Sequence, residues 1–384
     1  MRHTPKLLAV AITATFATAF ADQARADIAI DQIGDYEVSL EGLMQADGNW
    51  FNNDVADLNG AGLVNGKDTE FEMRRSEVVL KGKGTDFDWV LGYDGKANKW
   101  LDVNLKWKLG SSYLQAGQFK QPNSMEELSS TKNNDFIAKS MITNTYGISR
   151  RLGVQYGGGA KDWGYTVSYF SRELTRNLAH GQGFGGRFYY SPINSSGNVL
   201  HFGISAVDYD TSNDTQRFNS RPDADLATVR LIDTGSVLNA DRNRTIGLEG
   251  MWITGPFKVQ GEYMQTNTSR VNSSFGPSFS GDGWYVSGVW NLTGETWGYK
   301  GGVPTTPLPN EPASGMWQLA LRYDKMDLND FPVLGGEEHN LTAGVNWYWR
   351  SNFKISANYV KVNSDRRGIS DNPDIFETRL QFFW

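Results

Sequence analysis

Residues 101–109, LDVNLKWKL, alternate without a break: Leu101, Val103, Leu105, Trp107 and Leu109 against Asp102, Asn104, Lys106 and Lys108. A β-strand turns successive side chains to opposite faces, so this pattern describes a strand with one apolar face and one charged face. WGYTVSYFSR repeats it, with Trp163, Tyr165, Val167 and Tyr169 against Thr166, Ser168 and Arg172. So does LTAGVNWYWR, with Leu341, Ala343, Val345, Trp347 and Trp349 against Thr342, Asn346 and Arg350. About sixteen such segments are separated by Gly, Asn, Asp and Pro, and no long apolar helix interrupts them. They centre near Leu40, Val78, Leu91, Leu105, Leu114, Val154, Val167, Phe188, Ile204, Leu248, Val259, Val286, Leu319, Val345, Ile355 and Leu380. A further stretch, LATVRLIDTG, is assigned to a long loop.

Alternation alone fits a soluble β-sandwich as well as a membrane barrel. Three features favour the barrel. The apolar faces carry Trp, Tyr and Phe at their ends, as in the aromatic girdles of membrane barrels. The opposite faces are polar and charged throughout, which suits a wet lumen and not a sandwich core. The chain ends ETRLQFFW, which resembles the carboxyl-terminal assembly signal of bacterial outer-membrane proteins. The fold class expected is therefore all-β: a sixteen-stranded antiparallel transmembrane barrel in a Gram-negative outer membrane, in contact with its lipid.

The first 26 residues, MRHTPKLLAVAITATFATAFADQARA, read as a secretory signal peptide: Arg2 and Lys6, an apolar run from Leu7 to Phe20, then Ala24-Arg25-Ala26. The barrel is expected over 27–384. Removing the signal moves the formal net charge from −6 to −8. An acidic exported chain argues against nucleic acid as a partner. With no cysteine, its stability must come from a core or from a closed hydrogen-bonded sheet.

Three connections are too long for turns: 121–149, 208–243 and 293–314. At least one is expected to fold into the pore, because a sixteen-stranded barrel is otherwise an open water channel.

Several ordered stretches resemble the phosphate-selective porin O and P family of Gram-negative outer membranes. They are MRRSEVVLKG, LQAGQFKQPNSMEELSSTK, SPINSSGNVLHFG, LTGETWGYK, GVNWYWRSNFKISANYV and TRLQFFW. The resemblance implies a homotrimer of sixteen-stranded barrels, inward-folded loops, and a lumen whose arginines draw in phosphate or polyphosphate. It places Arg74 and Arg75 on the family's paired arginines of the second strand, Lys139 and Lys132 on inward-loop cations, and Asp102 on an acidic residue near the constriction. Arg217 and Arg221 lie in a tract similar to its arginine-rich loop. The chain also departs from the pattern. Leu43 replaces a first-strand arginine, Glu77 a lining tyrosine and Glu127 a loop lysine, while Lys120 replaces an aromatic lining residue. A carboxylate within several ångströms of the arginines offsets much of their field, which weakens the expected anion preference.

Strand parity adds detail. If Val78 and Leu80 face lipid, Arg75 and Glu77 face the lumen, while Arg74 lies near a rim or reaches a headgroup unless a bulge turns it inward. Lys106 and Lys108 are luminal by the same rule, as are Arg187, Arg322 and Arg350, which either act in transport or only stiffen the wall. Hydrolase chemistry lacks an ordered constellation: His180 reads as loop, His201 as a lone wall residue, and His339 precedes a strand. No metal or cofactor motif is present. The function expected is passive diffusion of small anions, phosphate or polyphosphate, through a constriction lined by Arg and Lys. A low-selectivity porin on the same scaffold and a surface-interaction barrel remain the alternatives.

Overall fold

The computed structural model describes residues 28–60, 68–175, 180–272, 274 and 276–384; the signal-peptide segment lies outside the described residues. Sixteen strands form the wall: β1 (Tyr36–Asn52), β2 (Thr69–Lys83), β3 (Phe87–Asp94), β4 (Lys99–Leu109), β5 (Ser112–Lys120), β6 (Arg150–Gly159), β7 (Trp163–Phe170) and β8 (His180–Ser195) make the first half. The second half comprises β9 (Asn198–Thr211), β10 (Ala240–Thr254), β11 (Phe257–Arg270), β12 (Ser278–Asn291), β13 (Met316–Asp330), β14 (Val333–Trp349), β15 (Phe353–Arg366) and β16 (Asp374–Phe383). Every one of the sixteen alternating segments lies on one of them. His180 is therefore a strand residue and not a loop one, His339 lies within β14 and not before it, and LATVRLIDTG falls in the loop between β9 and β10.

Each strand pairs antiparallel with its neighbour in sequence, and β1 pairs with β16 from Leu43↔Phe383 to Asn52↔Asp374, closing the barrel. A short strand, Ile28–Ile33, pairs antiparallel with β1 over Tyr36–Leu40, beyond the end of β16. At the seam Gly42 and Trp384 exchange backbone hydrogen bonds of 3.1 and 3.2 Å. The indole lies on the glycine so closely that a Cβ would sit 2.0 Å from it, so the position accepts no side chain.

The barrel turns the usual burial order inside out. Phe202, Ile204, Leu248, Trp252, Val259 and Leu321 are exposed on the outer face, while Ser205, Glu249, Glu262, Arg322 and Asp324 on the same strands are buried. That is the arrangement a lipid solvent requires.

Of the register shifts in the wall, two change where residues singled out from the sequence point. On β2 the register slips between Gln45↔Arg75 and Ala46↔Met73, so Arg74 is the extra residue. It does not reach a rim or headgroup: both arginines enter the lumen, and Arg74 bonds an inward loop. On β4, Val103 opposes Leu91 and Trp100 opposes Tyr93, so Leu101 leaves the outward face and is buried. Arg350 sits in the turn after β14 and not on an inward face.

Connections alternate between a loop end and a turn end. The long segments 121–149 and 212–239 enter the lumen from the loop end, and the strands flanking the second run several residues further than expected. The third long segment, 292–315, follows the twelfth strand and enters from the turn end.

Candidate permeation site

The wall from β9 to β16 holds the loops. Segment 121–149 forms two short helices, α1 (Met125–Leu128) and α2 (Met141–Tyr146), whose first turns are capped by the hydroxyls of Ser124 and Ser140. Arg322 of β13 donates to the Ala138 carbonyl (3.0 Å) and Arg379 of β16 to that of Ile137 (2.7 Å). The Met141 N–H donates to Asp324 (2.8 Å), and the N–H groups of Met125 and Glu126 donate to Glu262. Segment 212–239 is tied in beside it. Its Asp223 pairs with Arg322 at 2.9 Å, and its Asp225 lies 3.1 Å from Arg74 and 3.6 Å from Arg379. Met141, Ile142 and Tyr146 of the first loop pack with Phe218, Ile232 and Val237 of the second, so the lumen has an apolar core of its own.

The wall from β2 to β6 faces that core across the passage. Arg75 bonds Glu77 at 3.1 Å, Arg150 bonds Asp102 at 2.7 Å, and Lys139 on the loop bonds Glu127 at 2.5 Å. Lys120 stands directly opposite Arg150 in the β5–β6 register. Its ammonium donates to the carbonyls of Glu127 (2.5 Å) and Ser129 (2.7 Å). Arg150 lies within electrostatic reach of Glu77 and Glu127 as well as Asp102. Four basic side chains (Arg75, Lys120, Lys139, Arg150) and three carboxylates (Glu77, Asp102, Glu127) therefore come together here. Burial alone would raise the Glu127 carboxyl, but Lys139 and Lys120 hold it down to about 2. Asp225 is likewise held to about 2 against burial, by Arg74 and Arg379. Both carboxylates stay charged across the neutral range.

The remaining candidates scatter along the passage. Lys106 rests over the Tyr113 ring, 3.7 Å from its centroid. Nearer the turn end, Lys108 pairs with Asp88 at 2.8 Å. Lys132 is half-buried on the inward loop, with its carbonyl bonded by Gln381. Arg217 pairs with Asp233 within segment 212–239, where Arg221 donates to the Ala227 carbonyl at 2.9 Å. Among the described residues no carboxylate lies within ion-pair distance of Lys106, Lys120, Lys132 or Arg221.

Arg150 was not among the residues singled out from the sequence. Its signal was present: it opens the strand after the inward loop, opposite the lysine that ends the strand before it. His201 is not alone, since its ring contacts Glu249 (3.1 Å) and Tyr299 (2.7 Å). Among the described residues no group of three or more His, Asp or Glu is placed to hold a metal ion.

A closed barrel with a charged lumen, an apolar outer belt and an inward loop is the architecture of an outer-membrane porin channel. The chain belongs to the phosphate-selective porin O and P family, whose model matches residues 44–384. It is 30% identical over 234 residues to Porin O of Pseudomonas aeruginosa, covering 52% of this chain and 52% of that protein. It is 28% identical to an uncharacterized protein of Caulobacter vibrioides, over 75% of this chain and 62% of that one. The matched stretches thus span about half to three fifths of those relatives. Among solved structures, OmpT, an outer membrane protein of Vibrio cholerae, superposes with a TM-score of 0.62 at 12% identity, covering 92% of this chain and 99% of that one. The anion-selective porin from Comamonas acidovorans gives 0.58 at 14% identity, over 90% of this chain and 100% of that one. At these identities the likeness is one of fold.

Proposed function

We propose that the channel passes small anions, phosphate or oligophosphate, with a moderate preference over cations. The observation that carries this reading is the unequal constriction: Arg75, Lys120, Lys139 and Arg150 against Glu77, Asp102 and Glu127, with Lys120 bonded only to carbonyls. A unit charge about 4 Å from an ion is worth about 4 kcal/mol at an effective dielectric of about 20, and a carboxylate equally near removes most of it. A small excess of basic groups over carboxylates therefore biases the passage without trapping its occupant. Arg74 and Arg221 on one side and Lys106 on the other supply further moderate steps, and several weak stations in series favour conduction over capture. Guanidinium groups at four of these positions, Arg74, Arg75, Arg150 and Arg221, suit phosphate oxygens. The family description and the anion-selective porin among the similar folds support the same reading.

We also infer a homotrimer. Strands β3–β7 have 8 to 11 residues against 14 to 17 in β8–β15. A tilted membrane strand needs about 9–11, so the low side just spans the bilayer while the high side overshoots it, and support for the trimer comes from the family. Secretion through a signal peptide of residues 1–26 belongs to this reading.

Planar-bilayer recording tests it. A reversal potential under a chloride gradient should show anion preference, and added phosphate should reduce chloride current. Cation preference with no phosphate effect would overturn the anion reading and leave a low-selectivity porin, while absence of conductance would favour a surface-interaction barrel.

A further inference from the structure

We propose that segment 292–315, entering from the turn end, is a brace that positions the constriction loop, with Trp297 as its positioning residue; this holds whichever solute passes. The segment is anchored to the wall at two places. The Tyr299 hydroxyl bonds both Ser191 (2.5 Å) and His201 (2.7 Å), and His201 is fixed in turn by Glu249. At the hairpin tip the Gly302 carbonyl accepts from Arg187 (2.6 Å), which also bonds Glu249 (2.8 Å). Gly302 has φ 77°, and a Cβ there would lie 2.6 Å from the Tyr189 ring, so the tip fits only as glycine.

From those anchors the segment reaches the constriction loop from below. Trp297 is 3% exposed and shares one apolar cluster with Met125 and Phe136 of the loop and with Met251, Ile253 and Val289 of the wall. Its ring lies 5.2 Å from the Lys258 ammonium, which holds Asp135 of the loop at 2.7 Å. Thr306 donates to the Asn133 carbonyl at 3.1 Å. The cavity left between loop, wall and segment is about 20 Å³, room for one water. The constriction loop is thus clamped from both sides: Arg322 and Arg379 grip its Ile137–Ala138 stretch from the wall, while Trp297 and Thr306 support Met125–Phe136 from the turn end.

The chain has no cysteine, so a single reporter thiol is clean. Ala138→Cys, on the loop and 1% exposed, should be protected from a water-soluble maleimide in the otherwise unchanged protein. Adding Trp297→Ala should raise its modification rate about tenfold and increase open-channel current noise, and Trp297→Phe should restore most of both. A steady rise in conductance with no added noise and no gain in thiol reactivity would show that the segment only narrows the lumen, and would overturn the proposal. If Trp297→Ala gives no heat-modifiable folded band, Tyr299→Phe carries the test. It keeps the ring, cuts the ties to Ser191 and His201, and should raise both readouts about threefold; no change in either would again overturn the proposal.

Discussion

Arg75 and Arg322 reach the lumen on strands of the same barrel and end in opposite conditions. The Arg322 side chain is 1% exposed, donates to a loop carbonyl, and has Asp223, Asp324 and Glu126 around it. Arg75 is 21% exposed and has one carboxylate, Glu77, for a partner. The β9–β16 wall uses its cations to hold loops; on the β2–β6 wall Arg74 and Lys120 also bond loop groups, while Arg75 and Arg150 stay about one-fifth exposed, each paired with one carboxylate. Parity decides which face a side chain occupies. The number of acids and carbonyls within reach decides whether its charge is available to a passing ion.

The largest effect should come from Arg322→Ala. It leaves Asp223 and Asp324 buried without their cation, at a cost of about 3–5 kcal/mol. Both inward loops should loosen, seen as a higher, noisier conductance from a barrel that still shows the folded gel mobility. Unchanged current would erase the distinction between the two walls. Glu77→Gln should raise the anion-to-cation permeability ratio about fivefold, about 1 kcal/mol, by freeing Arg75, and Arg75→Ala should lower it by a similar factor. Both are read from reversal potentials, and equal responses to Arg75→Ala and Arg322→Ala would again merge the walls. A pH series sharpens the contrast at the loop itself. Glu127 is depressed to about 2, so its bond to Lys139 is in place above the ordinary carboxyl range and is lost only as pH falls through about 2. The difference in selectivity between the protein and its Glu127→Gln variant should therefore persist from pH 8 to pH 4 and vanish near pH 2. The smallest effect is assigned to Lys106→Gln, a loss of about twofold in anion preference, since the ammonium rests on an aromatic ring away from the constriction.

Much of this architecture was legible in the residues. All sixteen strands announce themselves because lipid on one side and water on the other enforce alternation along every one. The inward placement of Arg75 and Glu77 followed from the same parity. Arg74 and Leu101 escaped it, because a bulge inserts one residue without altering the residue types around it. The position of 292–315 could have been counted: in an up-and-down barrel every even-numbered connection lies at the end opposite the first, and this is the twelfth. What no local pattern reveals is pairing across the lumen. Asp225 and Arg74 lie 151 positions apart in the chain, and which acid meets which arginine depends on how two loops pack. The resemblance gave Lys120, Lys139 and Asp102, and Arg150 completes that set only once β5 and β6 are aligned.

The seam between β1 and β16 also governs how the molecule must form. Fourteen of its strands meet both neighbours through adjacent stretches of chain, but Gln45 and Gln381, bonded across the seam, are 336 positions apart. Until that last pairing is made, the sheet carries two unpaired edges with their N–H and C=O groups open to any other strand. The interval before closure is the one in which the protein is most exposed to joining the wrong partner, and the small surface offered by Gly42 to the Trp384 ring is where that interval ends.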